Sequence, residues 1–445
     1  MMSEPNGPVI AAYIAAAPER VLPPEVADMA RLCLADWLGV AIGAAEEPAG
    51  RIVREVAAGW HSQGRATVLF GGTAAAPFGA LANGTLAHCL DFDDTYVRAI
   101  THTSAPVWAA TLALGEELGV DESTMLSAFV TGFETAARIG DGLGEAVTAR
   151  GWHGTGVFGR LGAAAAASVL LRLDAERALH ALGATATQTG GLTASFGTMA
   201  KPFHAGKAAM DGIVAAQLAA DGFTAATGLF EPGGGLDTAL VQDRSVTFTP
   251  IDLTGWRILE NSFKPYAACH LTHPAVDAAR GLAHRIEPRE IASVRAEIGA
   301  LAQQITGRKS GEPATPLEGK FDLNYCIALG LHGRAVSAAD FREPWHPDAM
   351  VCATACKVES LVSPEMSFAS ARLSVELAEG GCETMSVAVA KGHPGNPMNW
   401  DDMHAKFHAL IAPHLGSRKD ALFALVREFG RGDILGEIRA ILATL

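Results

Sequence analysis

The chain has 445 residues, 49% of them hydrophobic and 18% charged, with a formal net charge of −14. That apolar content supports an extensive core, at a length suited to about two or three domains, and excludes long disorder. The acidic balance leaves no basic stripe to displace counterions from phosphates, so nucleic acid is excluded as a partner.

The amino terminus has no basic segment leading into an apolar run, which predicts no signal peptide. Apolar stretches at 107–114 and 169–171 are cut short by charges, which predicts no membrane span. Seven scattered cysteines form no disulfide framework and point to a reducing, cytoplasmic setting. Pro23-Pro24-Glu25 opens a helix carrying Met29, Leu32, Leu34, Leu38 and Ile42. Asp121 caps a helix that reaches residue 139. Helices over 155–172, 175–189 and 207–221 follow, and the glycine-rich segment 231–237 reads as a loop and a candidate flap. The character changes near Thr247. Segments 256–263 and 291–298 are strand-like, 324–331 is helical, and 371–377 pairs with 385–389 as a hairpin across Gly380-Gly381. From Trp400 the chain is helical again. The predicted fold is mainly α. A large all-helical domain is built from both chain ends (1–254 and 396–445), with a smaller α+β lid domain inserted at 255–395.

Lysine is scarce. The chain has nine, none before residue 201, and the first three fall in Lys201-Pro-Phe-His204-Ala-Gly-Lys207 and in the segment opened by Lys264. A chain that otherwise uses arginine has placed a compact ammonium beside histidines, which suggests a site that grips an anion and moves protons. The densest polar segment, 88–95 (HCLDFDDT), is followed by Thr101-His102-Thr103-Ser104. Asp91 and Thr95 would share a face if the preceding helix continued. Asp93 and Ser104 read equally well as helix caps. Asp91 beside His102 reads as a carboxylate orienting an imidazole. His153 stands at a helix start among glycines, where its ring could meet an anion. His204 and His270 accompany lysines, whereas His180, His284, His404, His408 and His414 read as ordinary surface or core residues. Cys352 and Cys356 lack a second pair for zinc. The aspartates lack the second segment that a Mg²⁺–diphosphate site needs. Neither a nucleophile elbow nor a dinucleotide fingerprint is present.

The segments 88–95, His102, Trp152-His153, 201–212 (KPFHAGKAAMDG), 264–274 (KPYAACHLTHP) and 320–325 (KFDLNY) occur in an order that resembles the MmgE/PrpD family. That family includes 2-methylcitrate dehydratase, cis-aconitate decarboxylase and iminodisuccinate epimerase. The resemblance implies a helical domain with an α+β lid, a homodimer, a small di- or tricarboxylate substrate, and no metal or organic cofactor. It places active-site positions on Asp91, Thr95, His102, His153, Lys201, Lys264, His270 and Tyr325. The shared step handles a proton or carboxylate at a carbon next to a carboxylate, where developing charge must be neutralised by preorganised cations. Lys201 and Lys264 are expected in that role, with Thr95, His153, His204 and His270 binding substrate and His102, oriented by Asp91, as base. Tyr325 or His270 would be the acid. Dehydration is the leading expectation. Epimerisation, decarboxylation and carboxylate binding without catalysis are the alternatives.

Overall fold

The structure, a computed structural model, describes residues 4–307 and 311–445. The fold is mainly α, as expected. Its contacts separate two compact units, Met1–Ser262 with Trp400–Leu445, and Phe263–Asn399.

The first unit is mostly helical. Pro24 starts Pro24–Gly43, and Asp121 caps Glu122–Gly140 by accepting a hydrogen bond from the Thr124 amide at 2.8 Å. Around these helices Trp37, Trp108, Phe129, Phe133 and Phe158 are fully buried. The small residues of this alanine-rich sequence let helix backbones meet. A Cβ added to Gly84, in Ala76–Cys89, would come within 2.9 Å of the Gly206 Cα in Ala200–Ala220. That contact fixes the spacing of the two helices that carry His88 and Lys201. Trp400–Leu415, the first of three α-helices at the chain's end, packs on Pro24–Gly43, with Phe407 against Gly39.

Three expectations about this unit change, the first being that it is all-helical: Ala66–Val68 pairs antiparallel with Gly72–Ala74 as a two-stranded sheet. The helix expected over 207–221 begins at Ala200, so Lys201 and His204 lie within its first turns. Pro202 does not prevent this, because the first turn has no intrahelical acceptor for its missing N–H. Segment 256–263 is not a strand but a short 3-10 turn, Arg257–Glu260, followed by a single bridge from Ser262 to Thr95. Its backbone finds side-chain partners instead: the Ile258 amide donates to Glu134 at 2.8 Å, and Arg257 Nε donates to Asp141 at 2.9 Å.

The second unit is a four-stranded sheet with helices. Its order is Val358–Val362, Ile291–Ile298, Ala371–Leu377, Cys382–Val387, with the first pair parallel and the others antiparallel. The expected hairpin forms, and Gly380 and Gly381 supply its positive φ angles of 92° and 103°. Val294, Ala296, Leu373 and Val375 bury one sheet face against Ala275, Ala279 and Leu282 of His273–Leu282 and Ile327 of Leu323–Leu331.

Candidate active site

The helix Ala76–Cys89 stops just after His88, and Asp91 follows with φ of 52° in the left-handed region that aspartate tolerates. The helix therefore does not continue, and Asp91 and Thr95 do not share a helical face. The turn sends three aspartates to different partners. Asp91 Oδ1 accepts from Lys201 Nζ at 2.5 Å. Asp93 Oδ2 lies 2.8 Å from His88 Nδ1 and 3.2 Å from His102 Nδ1. Asp94 takes the amide and hydroxyl of Ser104 and, at 2.6 Å, Asn261 Nδ2. The capping expected of Asp93 thus belongs to Asp94, which holds the start of Ser104–Leu118. Lys406 supports the same loop from the helix Trp400–Leu415. Its Nζ donates to the Phe92 carbonyl at 2.6 Å and pairs with Asp36 at 2.6 Å.

His102 is held by its own amide, which donates to Thr155 Oγ1 at 3.0 Å. The Asp91–His102 pair is present as a 3.9 Å contact between Asp91 Oδ1 and His102 Nε2, with Asp93 nearer at the other ring nitrogen. His153 precedes Gly154–Leu170, its amide bonded to the Gly191 carbonyl at 3.0 Å. Its ring stacks on His88 with centroids 5.5 Å apart, and its Nδ1 lies 3.0 Å from the Nδ1 of His204. Two ring nitrogens facing at that distance share one proton, so the tautomers of His153 and His204 are complementary. Lys201 Nζ also lies 5.2 Å from the Phe196 ring centre. Thr95 is buried in the same loop, with a hydroxyl that makes no hydrogen bond among the described residues.

Burial sets the electrostatics. It lowers His88 to about 4 even with Asp93 alongside, and His204 to about 4 with help from His88, Arg160 and Lys201. His153 is driven well below the usual imidazole range by burial and by His88 and Lys201. Burial alone would raise Asp93, but His88 and His102 hold it well below the usual carboxylate range. Burial, with Asp36 nearby, pushes Asp94 up to about 7. The arrangement is an ionised carboxylate touching two imidazoles, a row of neutral imidazoles beyond them, and a buried lysine–aspartate pair. Such a set can store and pass a proton beside a fixed positive charge. His88, Asp93 and His102 also offer metal-ligand atoms within 4.8 Å of one another. The His88–Asp93 contact at 2.8 Å is a hydrogen-bond distance, which favours proton sharing between those two.

The first unit therefore gathers Asp91, His102, His153, Lys201 and His204, with Thr95 on the same loop. Lys264, His270 and Tyr325 belong to the second unit, where each is buried. There the His270 ring lies 4.9 Å from that of His273, and the Tyr325 ring 5.9 Å from that of Trp345. Burial, then Cys352 and Asp340, raises the Tyr325 phenol. Lys207, prominent in the sequence, is a half-exposed partner of Asp211 four residues on. Reasoning from sequence missed His88 as a participant and Asp93 as its partner. Their five-residue separation across a helix end was the available signal.

The MmgE/PrpD N-terminal domain model matches residues 9–249, and the MmgE/PrpD C-terminal domain model matches residues 266–428. A cis-aconitate decarboxylase-like protein of Aspergillus oryzae is 27% identical over 370 residues, covering 76% of each chain. The cis-aconitate decarboxylase of Homo sapiens is 28% identical over 351 residues, 75% of this chain and 72% of that protein. That of Aspergillus terreus is 25% identical over 349 residues, 72% and 71% of the two chains. With both family domains matched in order along the sequence, the chain belongs to the MmgE/PrpD family.

Proposed function

We propose that the protein is a lyase acting on a small polycarboxylate, and that it decarboxylates a tricarboxylate of the cis-aconitate type. The observation that carries this reading is the similarity, over about three-quarters of the chain, to proteins named as cis-aconitate decarboxylases. Dehydration, the leading expectation from sequence, has less support. The epimerase reading has none among the relatives above.

The chemistry suits the cluster. In such a substrate one carboxylate sits on a methylene next to the double bond. When its C–C bond breaks, CO₂ leaves and the bonding pair forms a new terminal alkene. The former π pair then takes a proton at the carbon bearing a retained carboxylate. The step consumes one proton and builds charge against an existing anion, so it needs an acid and a fixed cation. His102 is the proposed proton carrier, with Asp93 behind it to stabilise the imidazolium. Lys201 is the proposed cation, with Asp91 holding its ammonium in place. Thr95, His153 and His204 would orient the remaining carboxylates. Roles for Lys264, His270 and Tyr325, the lid role of the inserted unit and the homodimer belong to the same proposal and rest on the family resemblance, and the cytoplasmic setting rests on the scattered cysteines.

The test is proton NMR of a polycarboxylate panel incubated with the enzyme in D₂O, with CO₂ measured in parallel. The proposal expects a terminal =CH₂ pair, equimolar CO₂ and one deuterium in the product methylene. A new alkene without CO₂ would indicate dehydration. Deuterium uptake without a new alkene would indicate epimerisation. Either result would overturn the decarboxylase reading.

A further inference from the structure

Outside the cluster, a second set of donors lies on the C-terminal helices. His404 and His408, four residues apart on Trp400–Leu415, turn to the same side, with ring centroids 3.8 Å apart. Asp420, on the next helix Lys419–Glu428, brings Oδ1 to 3.5 Å from His408 Nε2. That nitrogen is buried and makes no hydrogen bond among the described residues. All three donors lie within 4.8 Å of one another. Phe423 packs edge-on against both rings, at 4.9 Å from His404 and 5.8 Å from His408, which limits their rotation.

We propose that His404, His408 and Asp420 bind a divalent transition-metal ion of the Zn²⁺ class, which ties Trp400–Leu415 to Lys419–Glu428. An ion held tetrahedrally at about 2.0–2.1 Å from each donor separates neighbouring donors by roughly 3.3 Å. The 3.5 Å between His408 and Asp420 matches that separation and is long for a hydrogen bond. Two imidazoles and one carboxylate favour Zn²⁺, Ni²⁺, Co²⁺ or Cu²⁺ over Mg²⁺ or Ca²⁺, which prefer oxygen. Lys419 Nζ stands 3.6 Å from Asp420 Oδ2, the other carboxylate oxygen, leaving Oδ1 toward the histidines. His404 and Asp420 are exposed, so an ion can enter and water can complete its coordination. The consequence extends inward, because the same helix carries Lys406, whose ammonium holds the Phe92 carbonyl between Asp91 and Asp93. An ion here would steady the helix that supports the loop.

The experiment titrates chelator-stripped full-length protein with Zn²⁺ by calorimetry, and with Co²⁺ by visible absorption. Wild type, His404→Gln, His408→Ala and Asp420→Asn are compared, with Tm measured with and without Zn²⁺. The proposal expects one Zn²⁺ per chain to be lost in each histidine variant and held more weakly in Asp420→Asn. It also expects the Zn²⁺-induced rise in Tm to disappear with the lost ion. His404→Gln and Asp420→Asn alter exposed side chains, so they report even if His408→Ala folds poorly. The same Zn²⁺ stoichiometry and affinity in His404→Gln and Asp420→Asn as in wild type, or no ion bound by wild type, would overturn the assignment.

Discussion

Lys201 Nζ lies 2.5 Å from Asp91 Oδ1, and the two side chains are only 6% and 5% exposed. A buried pair of this kind is costly to break from one side, because the remaining charge is left without its partner. Asp91→Asn should therefore lower unfolding free energy by roughly 3–5 kcal/mol, read by urea denaturation. Lys201→Arg should lose nearly as much turnover as Lys201→Ala, since a planar guanidinium cannot occupy the place of a compact ammonium. Near-normal turnover in the arginine variant would mean that charge alone suffices.

Gly206 sets the approach of the helices that carry His88 and Lys201. Its substitution by alanine would drive a methyl into Leu81 and Thr85 of the helix that bears His88. Overpacking of that kind typically costs about 1–3 kcal/mol. The expected result is a protein that still folds, with a lower Tm and turnover reduced far more than stability. Unchanged turnover in Gly206→Ala would show that the spacing of Lys201 and His88 is not critical.

Stability should depend on pH in a way that separates two buried groups. His88 and His204 take up a proton near 6.5 when unfolded but only near 4 when folded. Between these values the unfolded chain binds more protons, so these groups lose stability as pH falls from about 6.5 toward 4. Asp94 acts in the opposite sense. It is raised to about 7, so its protonated form favours the fold at low pH and its contribution is lost as pH rises. His204→Asn should flatten the acid-side loss, and Asp94→Asn should steepen it. Parallel profiles for wild type and both variants would contradict these assignments.

Chelation should leave turnover intact. Asp93 Oδ2 already engages His88 and His102 at 2.8 and 3.2 Å, so the proposed chemistry runs through protons held by these side chains. Activity that disappears with EDTA and returns with one divalent ion would require a different mechanism. A fall in Tm with turnover preserved would fit an ion held away from the reacting groups.

Much of the fold was legible because it follows periodicity and punctuation. Pro24, the Asp121 cap and the Gly380-Gly381 turn mark elements that the structure contains. The rest depended on contacts distant in sequence. Segment 256–263 has strand-like composition, yet Glu134, more than a hundred residues earlier, takes its amide and removes the need for a ladder. The same distinction holds at the candidate site. The crowding of histidine and lysine in 88–104 and 201–204 was visible, and these segments do come together. The partner of each aspartate was not visible, because it depends on the helix ending at Cys89 and on Asp91 turning left-handed. That one backbone choice sends Asp91 to Lys201 and leaves Asp93 as the closer carboxylate at His102.

The central claim is that Asp93 and His102 act as one proton-handling unit. Its most direct test is a double-mutant cycle on turnover with a cis-aconitate-type substrate. The cycle comprises His102→Gln, Asp93→Asn and the double variant, each first checked for unchanged substrate binding and Tm. If the pair acts as a unit, His102→Gln removes turnover, Asp93→Asn lowers it strongly, and the double variant is little worse than His102→Gln alone. Strictly additive losses in log turnover, or full activity in Asp93→Asn, would contradict the account.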